Sequence, residues 1–194
     1  MPMKTKLFVG LVALLLAGCV VPSLHPLFAE RDYLYAPDVV GTWVPKDAKD
    51  KEVWDFTEDG RLYLLTHTDD KGHKATFHVA AGSIGTNVFL DFSPLDPTPG
   101  TELNRLMQMH LLPVHLFAKL VKTNDDLTLV ALDVEWLHDH LKTNSTAIAH
   151  ASRGDDAPLI TASTADLKKF VARHAHDEKA FKNAIILTAG KRGK

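Results

Sequence analysis

The chain carries a single cysteine, Cys19, in 194 residues, so no disulfide can form within it. Charge of one sign is also lacking. With 22 basic and 24 acidic residues the formal net charge is −2, and two of the basic residues, Lys4 and Lys6, sit at the extreme N-terminus. The Lys-Arg-Gly-Lys ending is too short to supply a basic footprint, so no nucleic-acid partner is expected. Apolar runs long enough to span a bilayer are absent after the N-terminus: Leu103–Val121 is interrupted by Arg105, Gln108, His110, His115 and Lys119. Catalytic signatures are missing as well. There is no Gly-x-Ser-x-Gly elbow, no His-Glu-x-x-His pair and no Gly-rich phosphate loop, and Asp69-Asp70-Lys71-Gly72 is too short to hold calcium. Asp125-Asp126 and Asp155-Asp156 fall where turns are expected, and adjacent residues on an extended chain point apart. The expectation is a protein that is not an enzyme and has no cofactor.

What is present begins with a leader. Lys4 and Lys6 precede the apolar run Leu7–Leu16, and small residues follow, which is the layout of an export signal. A helix through Leu7–Gly18 would rise only about 18 Å against a hydrocarbon core of about 30 Å, so residues 1–18 are expected to be removed rather than to span. Leu16-Ala17-Gly18-Cys19 resembles the lipobox of bacterial lipoproteins. Ala17 and Gly18 are small enough for a peptidase to approach, Leu16 suits an apolar subsite, and only cysteine offers a sulfur nucleophile for a thioether. The resemblance implies cleavage before Cys19, a diacylglycerol on its sulfur, and acylation of the new amine by a chain such as palmitate. At about 0.8 kcal/mol per buried methylene, two or three such chains make attachment to a membrane effectively permanent. In Gram-negative members of that family, Asp directly after the cysteine resembles an inner-membrane retention signal. Residue 20 is Val, which points to the outer membrane and the periplasm.

Pro22 and Pro26 oppose regular structure, so residues 19–36 are expected to form a lipidated tether and residues 37–194 a single domain. Pro37–Val44 reads as the approach to a first strand, and Gly41-x-Trp43 resembles the start of lipocalin-like barrels. Ser23-Leu-His-Pro-Leu-Phe28 followed by Gly41-Thr-Trp43 resembles a group of bacterial lipoproteins without an assigned activity, which implies a location rather than a reaction. Turn residues suggest how the hairpins pair. A three-residue loop at Glu58-Asp59-Gly60 sets Phe56 opposite Leu62 and Trp54 opposite Leu64. A loop at Asp69–Gly72 sets Leu64 opposite Phe77 and Leu62 opposite Val79, with Tyr63 meeting His78 on the other side. The strand Asn87–Phe92 extends the apolar face through Val88, Leu90 and Phe92 and leaves Asp91 on the opposite side. The residues expected to line the interior are therefore Trp54, Phe56, Leu62, Leu64, Phe77, Val79, Leu90 and Phe92.

Farther on, Leu116–Lys122 and Leu127–Asp133 flank an Asn124-Asp125 turn that pairs Leu120 with Leu129 and Ala118 with Ala131. Asp133 is placed to cap a helix over Val134–Leu141, and Ser163 or Thr164 a second helix presenting Leu167, Phe170 and Val171. Weaker strands read at Thr146–Ser152 and Pro158–Ala162. The fold class expected is mainly β with minor α: an antiparallel lipocalin-like barrel of about eight or nine strands, one inserted helix and one C-terminal helix. The 11 histidines invite a metal reading. However, His138-x-His140 and His174-x-His176 do not share a helix face, and His110 and His115 have no nearby carboxylate fixed by spacing, so no metal site is expected. The function expected is that of a membrane-anchored envelope lipoprotein whose barrel takes a small apolar ligand; the alternative is a structural or docking role toward an envelope protein around a solid core.

Overall fold

The structure, a computed structural model, describes residues 20–46, 52–95, 111–123, 125–154 and 156–190. The leader, the Leu16–Cys19 motif, His110, Asn124 and Asp155 lie outside them. Among the described residues ten strands form: β1 (Gly41–Pro45), β2 (Val53–Asp59), β3 (Leu62–Thr68), β4 (Lys74–Ile84), β5 (Asn87–Pro94), β6 (Leu116–Lys122), β7 (Asp126–Leu132), β8 (His150–Arg153), β9 (Asp156–Ile160) and β10 (Phe181–Ala189). Helix α1 (Val134–Thr143) follows β7, and α2 (Thr164–His174) precedes β10. Seven strands run as an antiparallel meander from β1 to β7, and β10 pairs with both β7 and β1, closing an eight-stranded barrel. Strands β8 and β9 form a separate hairpin outside the wall rather than part of it.

Two turns decide the register. The β2–β3 loop is two residues, Gly60-Arg61, with Gly60 at φ +63°, a conformation open to glycine without strain. Phe56 therefore faces Leu65 and Trp54 faces His67, three residues away from the expected partners. The β3–β4 loop spans Asp69–His73, one residue longer than expected, because Asp69 Oδ1 accepts the Lys71 and His73 N–H groups and draws the loop out. Both shifts are odd, and side chains alternate with period two, so β3 is turned over. Tyr63 and Leu65 point inward and are buried, whereas Leu62 and Leu64 face out. Farther along, Ala118 pairs with Ala131 and Leu120 with Leu129, as expected.

The barrel wall has an apolar core on each side. Inside are Val39, Trp43, Phe56, Tyr63, Leu65, Val79, Leu90, Leu127, Leu129 and Leu187, all buried. The turn Pro37–Val39 closes one end: Val39 is buried there, the Trp43 indole N–H donates to its carbonyl at 2.8 Å, and the Ala36 N–H donates to the Tyr63 hydroxyl at 2.6 Å. Outside the wall, Phe89, Phe117, Leu132 and Phe181 pack against Leu137 of α1 and Leu167, Phe170 and Val171 of α2. Asp133 caps α1 by accepting the Trp136 N–H, and Ser163 caps α2 by accepting the Asp166 N–H.

The stretch expected to be a tether belongs to this outer core from Val21 onward. Ser23 exchanges two backbone hydrogen bonds with His115, and the chain on either side of it makes two more with Ile160. Leu27 and Phe28 are buried, and Phe28 lies on Gly82, where a Cβ would come within 2.5 Å of its ring. Pro22 and Pro26 exclude helix and inner-strand positions but leave the segment free to pack as an irregular chain against the wall. A further departure from expectation lies at the other terminus: α2 is not the last element. Strand β10 (Phe181–Ala189) follows it, with Ile185 and Leu187 on the inner cluster and Ile186 exposed, a run of three apolar residues in which the sequence shows no alternation.

Candidate functional site

Among the described residues, the end of the barrel opposite Val39 forms a mouth, and the register shows which side chains ring it. From the expected interior set, Trp54, Phe56, Phe77, Val79, Leu90 and Phe92 do line the interior, with Trp54, Phe77 and Phe92 only partly buried because they stand nearest the opening. A pocket of about 350 Å³ opens there between the start of β4, the end of β5 and the segment leading into β6. Ala75, Phe77, Phe92, Leu112, Pro113 and Leu116 are among its walls. This volume falls at the small end of ordinary ligand sites, about 300–1,000 Å³, and the lining is mostly apolar. Leu112 is 57% exposed at the rim.

One side of the mouth is polar. Ala75 pairs with His67, and His67 with Trp54, so these rows are neighbours on the inner face. Trp54 stands edge-on to Phe92 with ring centroids 6.4 Å apart, and edge-on to His67 at 4.9 Å. Glu52, two residues before Trp54, completes the corner: its Oε1 accepts the Trp54 indole N–H at 2.8 Å and lies 3.0 Å from His67 Nε2. The hydrogen bond to His67, aided by that to Trp54, holds the Glu52 carboxyl below its ordinary value despite partial burial. The corner thus presents an ionised carboxylate beside an apolar pocket. The turn residues in the sequence set His67 opposite Lys74 on the polar face, whereas the turned-over β3 brings it to Trp54 and Ala75; Glu52 carries no local signal that marks it in the sequence.

Two other side-chain groups come together across long sequence distances. Asp91, buried on the outer face of β5, accepts the Leu27 N–H at 2.7 Å and stands 3.0 Å from His115 Nδ1. An Asp–His pair can orient an imidazole for proton transfer, but the neighbouring Ser23 is fully buried and its hydroxyl donates to the His25 carbonyl. The pair clamps the N-terminal segment to the wall. On the helices, His140 and His174 meet with ring centroids 5.0 Å apart, packed with Trp136 and Phe170. Among the described residues, no group of three or more histidines, cysteines or carboxylates is placed to hold a metal ion, and no helix is long and apolar enough to cross a membrane. Comparison with protein-family models, with curated proteins and with solved structures finds no match.

Proposed function

We propose that this protein is a non-enzymatic lipoprotein of the bacterial envelope, held through acyl chains on Cys19 at the outer membrane, and that its barrel mouth binds a small apolar group. The observation that carries the binding half is the 350 Å³ pocket framed by Phe77, Phe92 and Leu116, with its rim leucine open to solvent. The anchoring half is supported by the leader and the Leu16-Ala17-Gly18-Cys19 motif. Below the mouth the interior is filled by aromatic and aliphatic side chains, so the ligand sits in the opening and does not thread the barrel. That filling also favours the second reading, in which the mouth receives an apolar side chain of an envelope protein.

The test uses the processed full-length protein without a tag. Mass spectrometry should show acyl mass on Cys19, and Cys19→Ser should move the protein out of the membrane fraction. A neutral naphthylamine dye should bind with a fluorescence rise, and Ala75→Phe, which puts a ring into the pocket, should weaken binding at least tenfold (about 1.4 kcal/mol) with the fold unchanged by circular dichroism. Dye binding untouched by Ala75→Phe would remove the mouth as the site. Reproducible crosslinks from position 112 to one envelope protein would favour the docking reading.

A further inference from the structure

The mouth has more chemistry than a greasy hole requires. Glu52 directly precedes β2, and its carboxylate contacts Trp54 and His67, of which Trp54 packs on the same inner cluster as Phe77 and Phe92. Among the described residues its side-chain hydrogen-bond partners are Trp54 and His67, and both meet Oε1. Among the described residues Oε2 accepts from nothing, and the side chain is 26% exposed. Two fixed donors on one oxygen hold the carboxylate plane in place and leave the other oxygen to a ligand at little cost in side-chain ordering. His67 is itself aligned by Trp54 and paired with pocket-lining Ala75, which ties the polar corner to the apolar wall.

From this juxtaposition we infer that the mouth selects amphiphiles with a cationic, hydrogen-bond-donating head, such as a primary amine, whose apolar tail lies against Phe77 and Phe92 and whose head meets Glu52 Oε2. The inference rests on the apolar-binding reading above and adds the class of head group. The geometry sets the sign of charge: Glu52 Oε1 is fixed by Trp54 and His67. The His67 hydrogen bond first and then that of Trp54 keep the carboxyl below its ordinary value against burial and the like charge of Asp69, and a fatty acid's own carboxylate would meet like charge there. A donor that fails to reach Oε2 leaves a partly desolvated carboxylate unpaired, which is the basis of discrimination.

Three probes of equal chain length separate the possibilities: dodecanol, dodecylamine and dodecanoate, each displacing the neutral naphthylamine dye from the full-length acylated protein below its micelle concentration. The expected order is amine tightest, alcohol intermediate and carboxylate weakest, with at least a tenfold gap between amine and carboxylate at pH 7. Glu52→Gln should close that gap while leaving dodecanol binding within about twofold, which a merely structural role would not do; His67→Gln should narrow it in part. Equal displacement by all three, or a gap that survives Glu52→Gln, overturns the inference while dodecanol binding upholds the pocket. If Glu52→Gln does not fold, Glu52→Asp, which shortens the reach but keeps the charge, should shrink the gap, and an unchanged gap counts against the role. Failure of dodecanol itself to displace the dye brings down the pocket reading and this inference together.

Discussion

Asp91 shows how much one buried polar residue can hold. Its two oxygens connect the N-terminal segment, through the Leu27 N–H, to the residue just before β6, through His115. Truncating it strands one buried N–H and leaves an imidazole without its acceptor; hydrogen bonds to charged groups are worth about 1.5–3 kcal/mol each. Asp91→Ala should therefore lower unfolding free energy by about 3 kcal/mol, read as a shift of the urea midpoint at unchanged slope, whereas Asp91→Asn, which keeps one acceptor, should lose less. An effect under about 0.5 kcal/mol would show that the segment is held by Phe28 and its backbone bonds alone. From sequence, Asp91 was visible as the one polar residue turned away from the Val88–Phe92 face. Its partner was not, because Leu27 lies 64 residues away and presents only a backbone N–H.

At the scale of elements, α1 and α2 were legible to their caps and their buried stripes, since both signals are local: Asp133 and Ser163 at the first turn, and Leu167, Phe170 and Val171 at helical spacing. How the two helices meet was not legible. The spacing of His138 with His140 and of His174 with His176 argued against shared chemistry within either helix, yet His140 and His174 come together from different ones. Burial, and after it the nearby His140 ring, hold His174 below the ordinary imidazole value of 6.5; Arg173 acts in the same direction and Asp177 opposes it. In the unfolded chain that imidazole takes a proton at its ordinary value, so unfolding takes up protons as pH falls below it. The stability tied to a neutral His174 is present above about pH 6.5 and drains away as pH drops toward the depressed folded value. The thermal midpoint should fall more steeply between pH 7 and pH 5 in the native chain than in His174→Phe, and equal slopes would assign the acid sensitivity elsewhere.

For the molecule as a whole, closure depends on β10, the strand whose apolar run carries no alternation in the sequence. Strand β10 makes both remaining seams, with β7 along Phe181–Thr188 and with β1 at Trp43–Pro45. Without it, two long edges would be left open and the interior row of Leu127, Leu129 and Leu187 would lose a wall. Ending the chain after Ala180 should abolish cooperative unfolding and near-ultraviolet dichroism; a truncated chain that melts sharply would show that seven strands suffice. The sequence by itself determined the β-rich class, the hairpin order, the pairing of β6 with β7 and the Asp133 cap, and narrowed the second cap to Ser163 or Thr164, because each depends on residues a few positions apart. Only the tertiary structure decided which face of β3 points inward, that the stretch after residue 20 joins the outer core, and that Glu52 and His67 stand at the mouth. A turn one residue longer or shorter reverses every side chain in the next strand. Which length prevails is settled by the packing of Tyr63 and Leu65 inside the closed barrel, and no local pattern carries that information.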